Sequence, residues 1–177
     1  MKYFKLILIL LILFGLNPVF AQQSGSATSS PIISAYFSPD GGVRDKIIAK
    51  INLTKTSIRL AIYSFTSGEI AWALEQAKSR GVDIAIVADG GQSSGKNSEI
   101  NYLISKGIPV KLLKGKGRGI MHNKFAIFDG KEVVTGSYNW TENAEKNNYE
   151  NAIFIADPQV AQSYSAEFDR LKNQSGY

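Results

Sequence analysis

The strongest constraint on the fold is the alternation of short apolar runs with helical patterns over the first two thirds of the chain. Four apolar runs predict strands at residues 32–37, 58–65, 82–88 and 108–113. Between them, apolar residues recur at helical spacing, and Ser67 and Gly81 are suited to begin and end one of the helices. Strands separated by helices of this length predict parallel βαβ units.

A β-hairpin should follow, because Asp129-Gly130 separates two alternating, β-prone runs. A two-residue loop sets the register, which pairs Phe128 with Lys131, Lys124 with Thr135, and His122 with Ser137. Side chains alternate between the faces of a strand, so the polar groups of His122, Lys124, Ser137 and Asn139 should converge on one face. Phe125 and Ile127 should point into the core, and the polar face is suited to an anion.

The remaining elements complete one domain. A polar loop at 141–148 precedes a strand at 149–155, and Asp157-Pro158 begins a last helix that ends near Lys172. The hairpin adds antiparallel strands to the parallel units. The predicted fold class is therefore α/β, with a mixed sheet flanked by helices on both faces, in a single domain at 32–177.

The N-terminus has the pattern of an export signal. Lys2 and Lys5 precede an apolar run, and Val19-Phe20-Ala21 fits a cleavage site. We expect a signal peptide at 1–21, a disordered linker at 22–31, and a periplasmic or secreted mature protein. An uncleaved membrane anchor is the alternative, although the run is shorter than a spanning helix requires.

Composition narrows the chemistry. The chain has no cysteine, which excludes disulfides and thiolate metal sites, and its net charge is only +5. The charge is unevenly distributed, since residues 100–128 contain no acidic residue and six basic ones. Such a run is often only a solvated face. Here it leads into His122, the only histidine, and therefore favours a polyanionic partner.

The residues around His122 support an anion site, although a lone histidine is more often structural. Gly136 before Ser137 permits close backbone approach. The glycine-rich segment before the hairpin is a flexible cationic loop whose Lys114, Lys116 and Arg118 could bind a phosphate backbone.

These residues carry a family resemblance. The motif is His122-x-Lys124-x4-Asp129-x6-Gly136-Ser137-x-Asn139. It resembles the HKD motif of the phospholipase D superfamily. Two further segments, Tyr63-Ser64-Phe65-Thr66 and Arg80-Gly81-Val82, resemble the small bacterial nuclease branch of that superfamily, and Glu150 falls where that branch has a carboxylate.

The resemblance implies a role for each residue. His122 would attack phosphorus and form a phosphohistidine. Lys124 and Asn139, helped by Ser137, would hold the non-bridging oxygens, and Glu150 would orient His122. Asp129 lies in the predicted turn, away from the phosphate face, so a structural role is favoured for it.

The same mechanism requires a second histidine to protonate the leaving alcohol. This chain has one, and the small nucleases of the family assemble the site across a homodimer, so we expect an obligate dimer with a single composite site.

No metal or other cofactor is expected, because Asp83, Asp89 and Asp129 lie on separate elements. Cleavage should therefore persist in EDTA.

Two other features have simpler interpretations. Residues 90–97 nearly match a phosphate-binding P-loop, but Asn97 replaces the residue that would hold Mg²⁺. The segment is interpreted as a glycine-rich loop in which Lys96 could contact a polyanion. Tyr138 and Trp140 are expected in the core, although Trp140 could instead stack on a base.

Three functions compete. The favoured one is an exported, metal-independent endonuclease that cleaves DNA, and RNA as a further substrate, with little sequence preference. A phospholipase D or cardiolipin hydrolase is less favoured, because no exposed apolar loop is expected beside the site. A nucleic-acid-binding module without turnover is the third, and the complete motif argues against it.

Overall fold

The computed structural model describes residues 30–175. The predicted signal peptide and most of the predicted linker lie outside the described residues. The strands are β1 Ile32–Ser38, β2 Ser57–Ile62, β3 Asp83–Asp89, β4 Val110–Leu113, β5 Lys124–Phe128, β6 Glu132–Gly136 and β7 Glu150–Ala156. The helices are α1 Val43–Leu53, α2 Gly68–Ser79, α3 Gly90–Ser93, α4 Ile100–Ser105, α5 Glu142–Lys146 and α6 Pro158–Lys172.

The strands form one mixed sheet in the order β1-β7-β6-β5-β2-β3-β4. β2, β3 and β4 are parallel, and the other neighbouring strands are antiparallel. The predicted α/β class with a mixed sheet is confirmed. Among residues 30–175, none of the helices combines the length and the apolar composition needed to cross a membrane.

Helices cover both faces of the sheet, as predicted. On one face, α1, α2 and α4 bury the larger core, whose members include Ile47, Leu60 and Leu74. On the other face α6 packs its Phe168 against the inner strands, beside Phe125 and Ile127. Tyr138 and Trp140 are buried in the larger core, which confirms their expected position.

Local signals account for the helix ends. The side chains of Ser67 and Asp157 accept hydrogen bonds from the first turns of α2 and α6. Gly81, just after α2, has φ +90°, a backbone conformation that residues with a Cβ rarely adopt. Two short helices were not predicted. α3 lies in the glycine-rich loop at 90–97. α5 lies in the polar loop at 141–148, and the side chain of Thr141 caps this helix.

The hairpin forms, but its predicted register is wrong by one residue. Asp129 and Gly130 occupy the turn with positive φ, and Lys131 N–H donates to the Phe128 carbonyl at 3.0 Å. Phe128 nevertheless pairs with Glu132, so Lys131 is an additional loop residue. A one-residue shift exchanges the faces of a strand. The alternation of side chains along β5 and β6 therefore does not bring the polar groups of the motif together. Their convergence depends on the segments that lie just beyond the ends of these strands.

The chain directions bring the candidate residues to one edge of the sheet. β5 is antiparallel to β2 and pairs Lys124 with Ile62, the last residue of β2. β6 ends and β7 begins at this same edge, where Gly136 pairs with Ala152. The segments that follow β2, β3 and β6 therefore meet those that precede β5 and β7.

Candidate active site

His122 lies in the irregular segment just before β5 and its side chain is exposed. The backbone there is held by a buried carboxylate: Asp89, 3% exposed, accepts from Met121 N–H at 3.0 Å. The other carboxylate oxygen of Asp89 accepts from Gln92 N–H at 3.0 Å. The end of β3 therefore positions the backbone next to His122.

Tyr63, the residue that follows β2, contacts both His122 and Lys124. Its ring packs edge-to-face on the His122 imidazole, with centroids 4.5 Å apart. Lys124 Nζ lies 5.0 Å from the centre of the Tyr63 ring. The ammonium also donates to the His122 carbonyl oxygen at 2.8 Å. The aromatic ring therefore joins the imidazole and the ammonium in one group.

Lys124 is buried, with 9% of its surface exposed. Burial lowers the pKa of its ammonium, and the negative charge of Glu150 opposes that shift in part. A buried ammonium lacks most of its hydration, so an anion that reaches it is attracted more strongly than one in bulk water. Lys124 is thus suited to bind a phosphate oxygen.

Asn139 and Ser137 each have a donor available for an anion. The Asn139 side-chain oxygen accepts from Ser64 N–H at 3.3 Å, which leaves its NH₂ group as a donor. Ser137 Oγ accepts from Asn151 N–H at 3.0 Å and from Asn151 Nδ2 at 3.3 Å, so its hydroxyl proton can be donated elsewhere. Both side chains are oriented by the protein in a way that suits phosphate binding.

Gly136 permits the close approach that was predicted. A Cβ on this residue would lie 2.2 Å from the Asn151 carbonyl oxygen, so a larger residue would displace the backbone. The same carbonyl accepts from the N–H groups of both Ser137 and Tyr138, at 3.1 and 3.2 Å. Two donors on one acceptor indicate a bulge, which redirects the chain beyond β6.

Glu150, the first residue of β7, lies at the same edge. Its carboxylate accepts from Asn148 Nδ2 at 3.0 Å, and its charge raises the pKa of Lys124 against the effect of burial. These contacts place Glu150 near Lys124. Its role in orienting His122 stays a prediction.

Asp129 lies elsewhere, in the turn at the opposite end of the hairpin. One of its carboxylate oxygens accepts from Thr56 N–H at 2.7 Å, Thr56 Oγ1 at 2.8 Å and Ser57 N–H at 3.1 Å. Burial raises the pKa of this carboxyl, but these hydrogen bonds outweigh it and lower the pKa to about 2. The contacts tie the hairpin to the segment before β2 and support a structural role.

Asp129→Asn should destabilise the fold by about 1–2 kcal/mol near neutral pH, because the amide is a weaker acceptor than the carboxylate. A carboxyl with a lowered folded pKa stabilises the fold above its unfolded pKa of 3.8, and this stabilisation is lost as the pH falls through about 2. Urea unfolding of both proteins at several pH values would measure it. The exposed Asp169→Asn is the control, and a pH-independent difference would contradict the assignment.

The predicted basic residues separate into two groups. Lys114 and Lys116 line a groove of about 710 Å³ that also includes His122. Their loop is closed by hydrogen bonds between Gly115 N–H and the Gly119 carbonyl and between Gly119 N–H and the Lys116 carbonyl. Arg118 is exposed on this loop, and Lys96 is exposed in the segment after α3. Neither Arg118 nor Lys96 lines the groove.

Three residues of this region were not assigned a role from the sequence. Tyr63 and Asp89 each follow directly on the apolar part of a parallel strand, and side chains at the carboxyl ends of such strands often form sites. That position was the available signal for both. Arg170, near the end of α6, lines the groove with His122 although the two are far apart in sequence. No local pattern indicates that Arg170 lines the same groove as His122.

Comparisons with known proteins agree with this geometry. Residues 47–172 match the model of a family described as cardiolipin synthase, PLD-like domain. A mitochondrial cardiolipin hydrolase of Drosophila melanogaster is 33% identical, with 86% of this chain and 68% of the relative covered. A phospholipase D of Rickettsia bellii is 35% identical, with coverage of 90% and 78%.

Two solved structures share the fold. Nuc from Salmonella typhimurium, a phospholipase D family member, has a TM-score of 0.76 and 38% identity, covering 83% of this chain and 98% of that one. NucT from Helicobacter pylori has a TM-score of 0.75 and 33% identity, covering 83% and 99%. With these matches, and with His122, Lys124, Ser137 and Asn139 at one edge of the sheet, the chain belongs to the phospholipase D superfamily and is a phosphodiester hydrolase of its Nuc-type branch.

Proposed function

We propose that the protein is an exported, metal-independent endonuclease that cleaves DNA, and RNA as a further substrate, through a phosphohistidine. The observation that carries this proposal is the open groove beside His122, which Lys114, Lys116 and Arg170 line and to which no Asp or Glu among residues 30–175 contributes. A wide cationic groove attracts a nucleic-acid backbone without reading its bases.

The chemistry follows from the residues at the sheet edge. The His122 imidazole forms a P–N bond while the P–O bond to the leaving alcohol breaks, and a second histidine protonates that alcohol. Water then breaks the P–N bond and releases a phosphomonoester, while the second histidine accepts the proton of the water. Lys124, Asn139 and Ser137 hold the non-bridging oxygens during both displacements.

The second histidine would come from a second copy of the chain. Two features support a dimer. The chain has one histidine, His122, where the mechanism needs two, and part of one face of the sheet is left uncovered by the helices of residues 30–175. α6 packs on β2, β3, β5 and β6 but leaves the β1 side of that face open, where Ile33 is 60% and Phe37 61% exposed. Phe37 pairs with Asn151, which contacts Ser137. A copy packed on this face would therefore adjoin the site, as a composite site requires.

Metal independence is supported by the distribution of ligand residues. Within the part of the chain that the structure describes, no group of three or more His, Cys, Asp or Glu residues could hold a metal ion. In a metal-dependent nuclease the metal ion stabilises the negative charge on the phosphate oxygens. Here Lys124 and the hydrogen-bond donors of Asn139 and Ser137 would stabilise that charge.

Phospholipid hydrolysis is the second candidate, and one observation favours it. No exposed apolar loop was expected beside the site, but one apolar side chain does lie there: Ile120 is 54% exposed and lines the groove with His122. The matched relatives also include a cardiolipin hydrolase and a phospholipase D. One isoleucine offers little area for an acyl chain, so nucleic acid remains the favoured substrate.

One assay separates these functions. The wild-type protein, recovered separately from cytoplasmic, periplasmic and medium fractions, is incubated in excess EDTA with plasmid DNA, RNA, phosphatidylcholine vesicles and cardiolipin vesicles. We expect cleavage of the nucleic acids and little lipid hydrolysis. Faster hydrolysis of either lipid would overturn the endonuclease proposal, loss of activity restored by one divalent metal would overturn metal independence, and activity confined to the cytoplasm would overturn export.

A further inference from the structure

The groove beside His122 continues to the C-terminal end of α6. Its lining includes His122 and Asn123, Lys114 and Lys116 of the preceding loop, and Arg170 and Gln174 at the end of α6. The volume of about 710 Å³ is far larger than one phosphate requires and lies within the range of sites that enclose whole ligands. The groove therefore has room for the nucleotides next to the scissile bond.

We propose that Arg170 binds a phosphate that flanks the scissile one, so that the end of α6 forms a binding subsite for a nucleic-acid strand. This inference rests on the proposed endonuclease function. It assigns to the last helix a contact with substrate that the motif around His122 does not contain.

The fold holds Arg170 in place. α6 follows β7 and returns along the sheet to the edge where His122 lies. The neighbouring residues Phe168 and Leu171 are buried against the sheet, 1% and 6% exposed, which fixes the rotation of the helix. The Gln174 side chain donates to the Arg170 carbonyl at 3.1 Å and orders the end of the helix. Arg170 therefore faces the groove from a rigid element.

Arg170 can exchange its present partner for a phosphate. Its Nε and a terminal nitrogen donate to the two Glu167 oxygens, both at 2.7 Å. The side chains of this pair are 60% and 35% exposed, and an exposed ion pair of this kind contributes little stability. The same fork of donors fits two oxygens of a phosphate. Arg170 lines the groove and Glu167 does not, so a phosphate that enters the groove contacts the Arg170 guanidinium before the Glu167 carboxylate.

The matched variants are Arg170→Ala and Lys172→Ala. Lys172 carries the same charge in the same helix turn, but it lines a different cavity with Pro109 and Lys111. The substrates are a labelled single-stranded oligonucleotide and bis(p-nitrophenyl) phosphate, a small diester that has no flanking phosphate. Comparing kcat/KM for the two substrates separates binding of the strand from the chemical step.

Arg170→Ala should lower kcat/KM for the oligonucleotide about 5- to 30-fold and reduce the slope of log KM against log salt by about 0.7. Its rate on the small diester should be unchanged, and Lys172→Ala should stay within about twofold of wild type on both substrates. Glu167→Gln should increase oligonucleotide affinity, because it releases Arg170. Thermal melts of all variants confirm that they fold.

Equal effects of Arg170→Ala and Lys172→Ala would overturn the subsite, because the effect would then come from net charge. No effect of Arg170→Ala, or an equal loss on the small diester, would overturn it as well. Wild-type protein that hydrolyses the small diester but no nucleic acid would refute the endonuclease function itself, and the subsite with it. If wild type cleaves both substrates and Arg170→Ala has the same kcat/KM for the oligonucleotide as wild type, only the subsite is refuted.

Discussion

His122→Ala should lower the rate of phosphodiester hydrolysis by at least about 10⁴-fold, because it removes the nucleophile, and the remaining groups cannot replace it. The fold should be unaffected, since the imidazole is exposed and the adjacent backbone is held by the hydrogen bond from Met121 N–H to Asp89. Initial rates on plasmid and on bis(p-nitrophenyl) phosphate would measure the loss, and thermal melts would check the fold.

Oligonucleotide binding should survive in the same variant, because Lys114, Lys116 and Arg170 remain in the groove. Anisotropy titrations at several salt concentrations would show this. A variant that keeps more than a few per cent of wild-type activity would contradict His122 as the nucleophile. A variant that binds nothing would instead indicate that the histidine holds substrate.

The inactive variant also tests the composite site. If two copies of His122 act on one phosphate, a dimer with only one of them lacks either the nucleophile or the acid. Co-refolding a fixed amount of wild type with a tenfold excess of His122→Ala should then lower activity to about a tenth. Unchanged activity, or an active species with the mass of one chain, would refute the composite site.

Much of the fold could be predicted because its signals are local. The apolar runs that became β1 to β4, the helical spacing of Val43, Ile47 and Ile51, and the helix start at Asp157-Pro158 each depend on a few neighbouring residues. The structure confirms each of them. The resemblance located the candidate site for the same reason, since its motif lies within a short stretch of chain.

The hairpin register could not be predicted, because both faces of β5 are buried. Phe125 and Ile127 pack on the side of α6, while Ala126 and Phe128 pack on the side of α1 and α2. Alternation sets register only where one face is apolar and the other is exposed to water. An additional loop residue at Lys131 therefore leaves no trace in the pattern.

Contacts between distant segments were the other gap. Asp89 reaches Met121, Tyr63 reaches His122, and Arg170 reaches the groove only after the sheet has brought separate strand ends to one edge. Each of these side chains lies at or near the end of an element that was predicted correctly. Their partners depend on strand order, which the sequence pattern did not supply.

Lys124→Met should lower kcat/KM for nucleic acid by about 10²- to 10³-fold, because the ammonium stabilises charge on the non-bridging oxygens in the transition state. Methionine keeps much of the side-chain volume, so the buried site stays filled. Lys111→Met is the matched control, because Lys111 is a partly exposed lysine of β4 and is not part of the group formed by Tyr63, His122 and Lys124. Its activity should be close to wild type.

The same change should leave stability unchanged or raise it. A lysine whose pKa is lower in the folded than in the unfolded chain destabilises the fold while it is charged, and this cost is complete at pH values below the folded pKa. It disappears as the pH rises above the unfolded value of 10.5. Methionine removes the cost near neutral pH, so a less active variant should melt at the same or a higher temperature.

Binding of inorganic phosphate would show whether the lower activity expected for Lys124→Met and any gain in its stability have the same cause. If Lys124 is retained at a cost in stability because it binds phosphate, the anion should raise the melting temperature of wild type and of Lys111→Met, but much less that of Lys124→Met. Equal stabilisation of all three proteins would place phosphate elsewhere on the surface. A Lys124→Met variant that is both active and stabilised by phosphate would exclude this lysine from the site, and the oxygens would then be held by Asn139 and Ser137 alone.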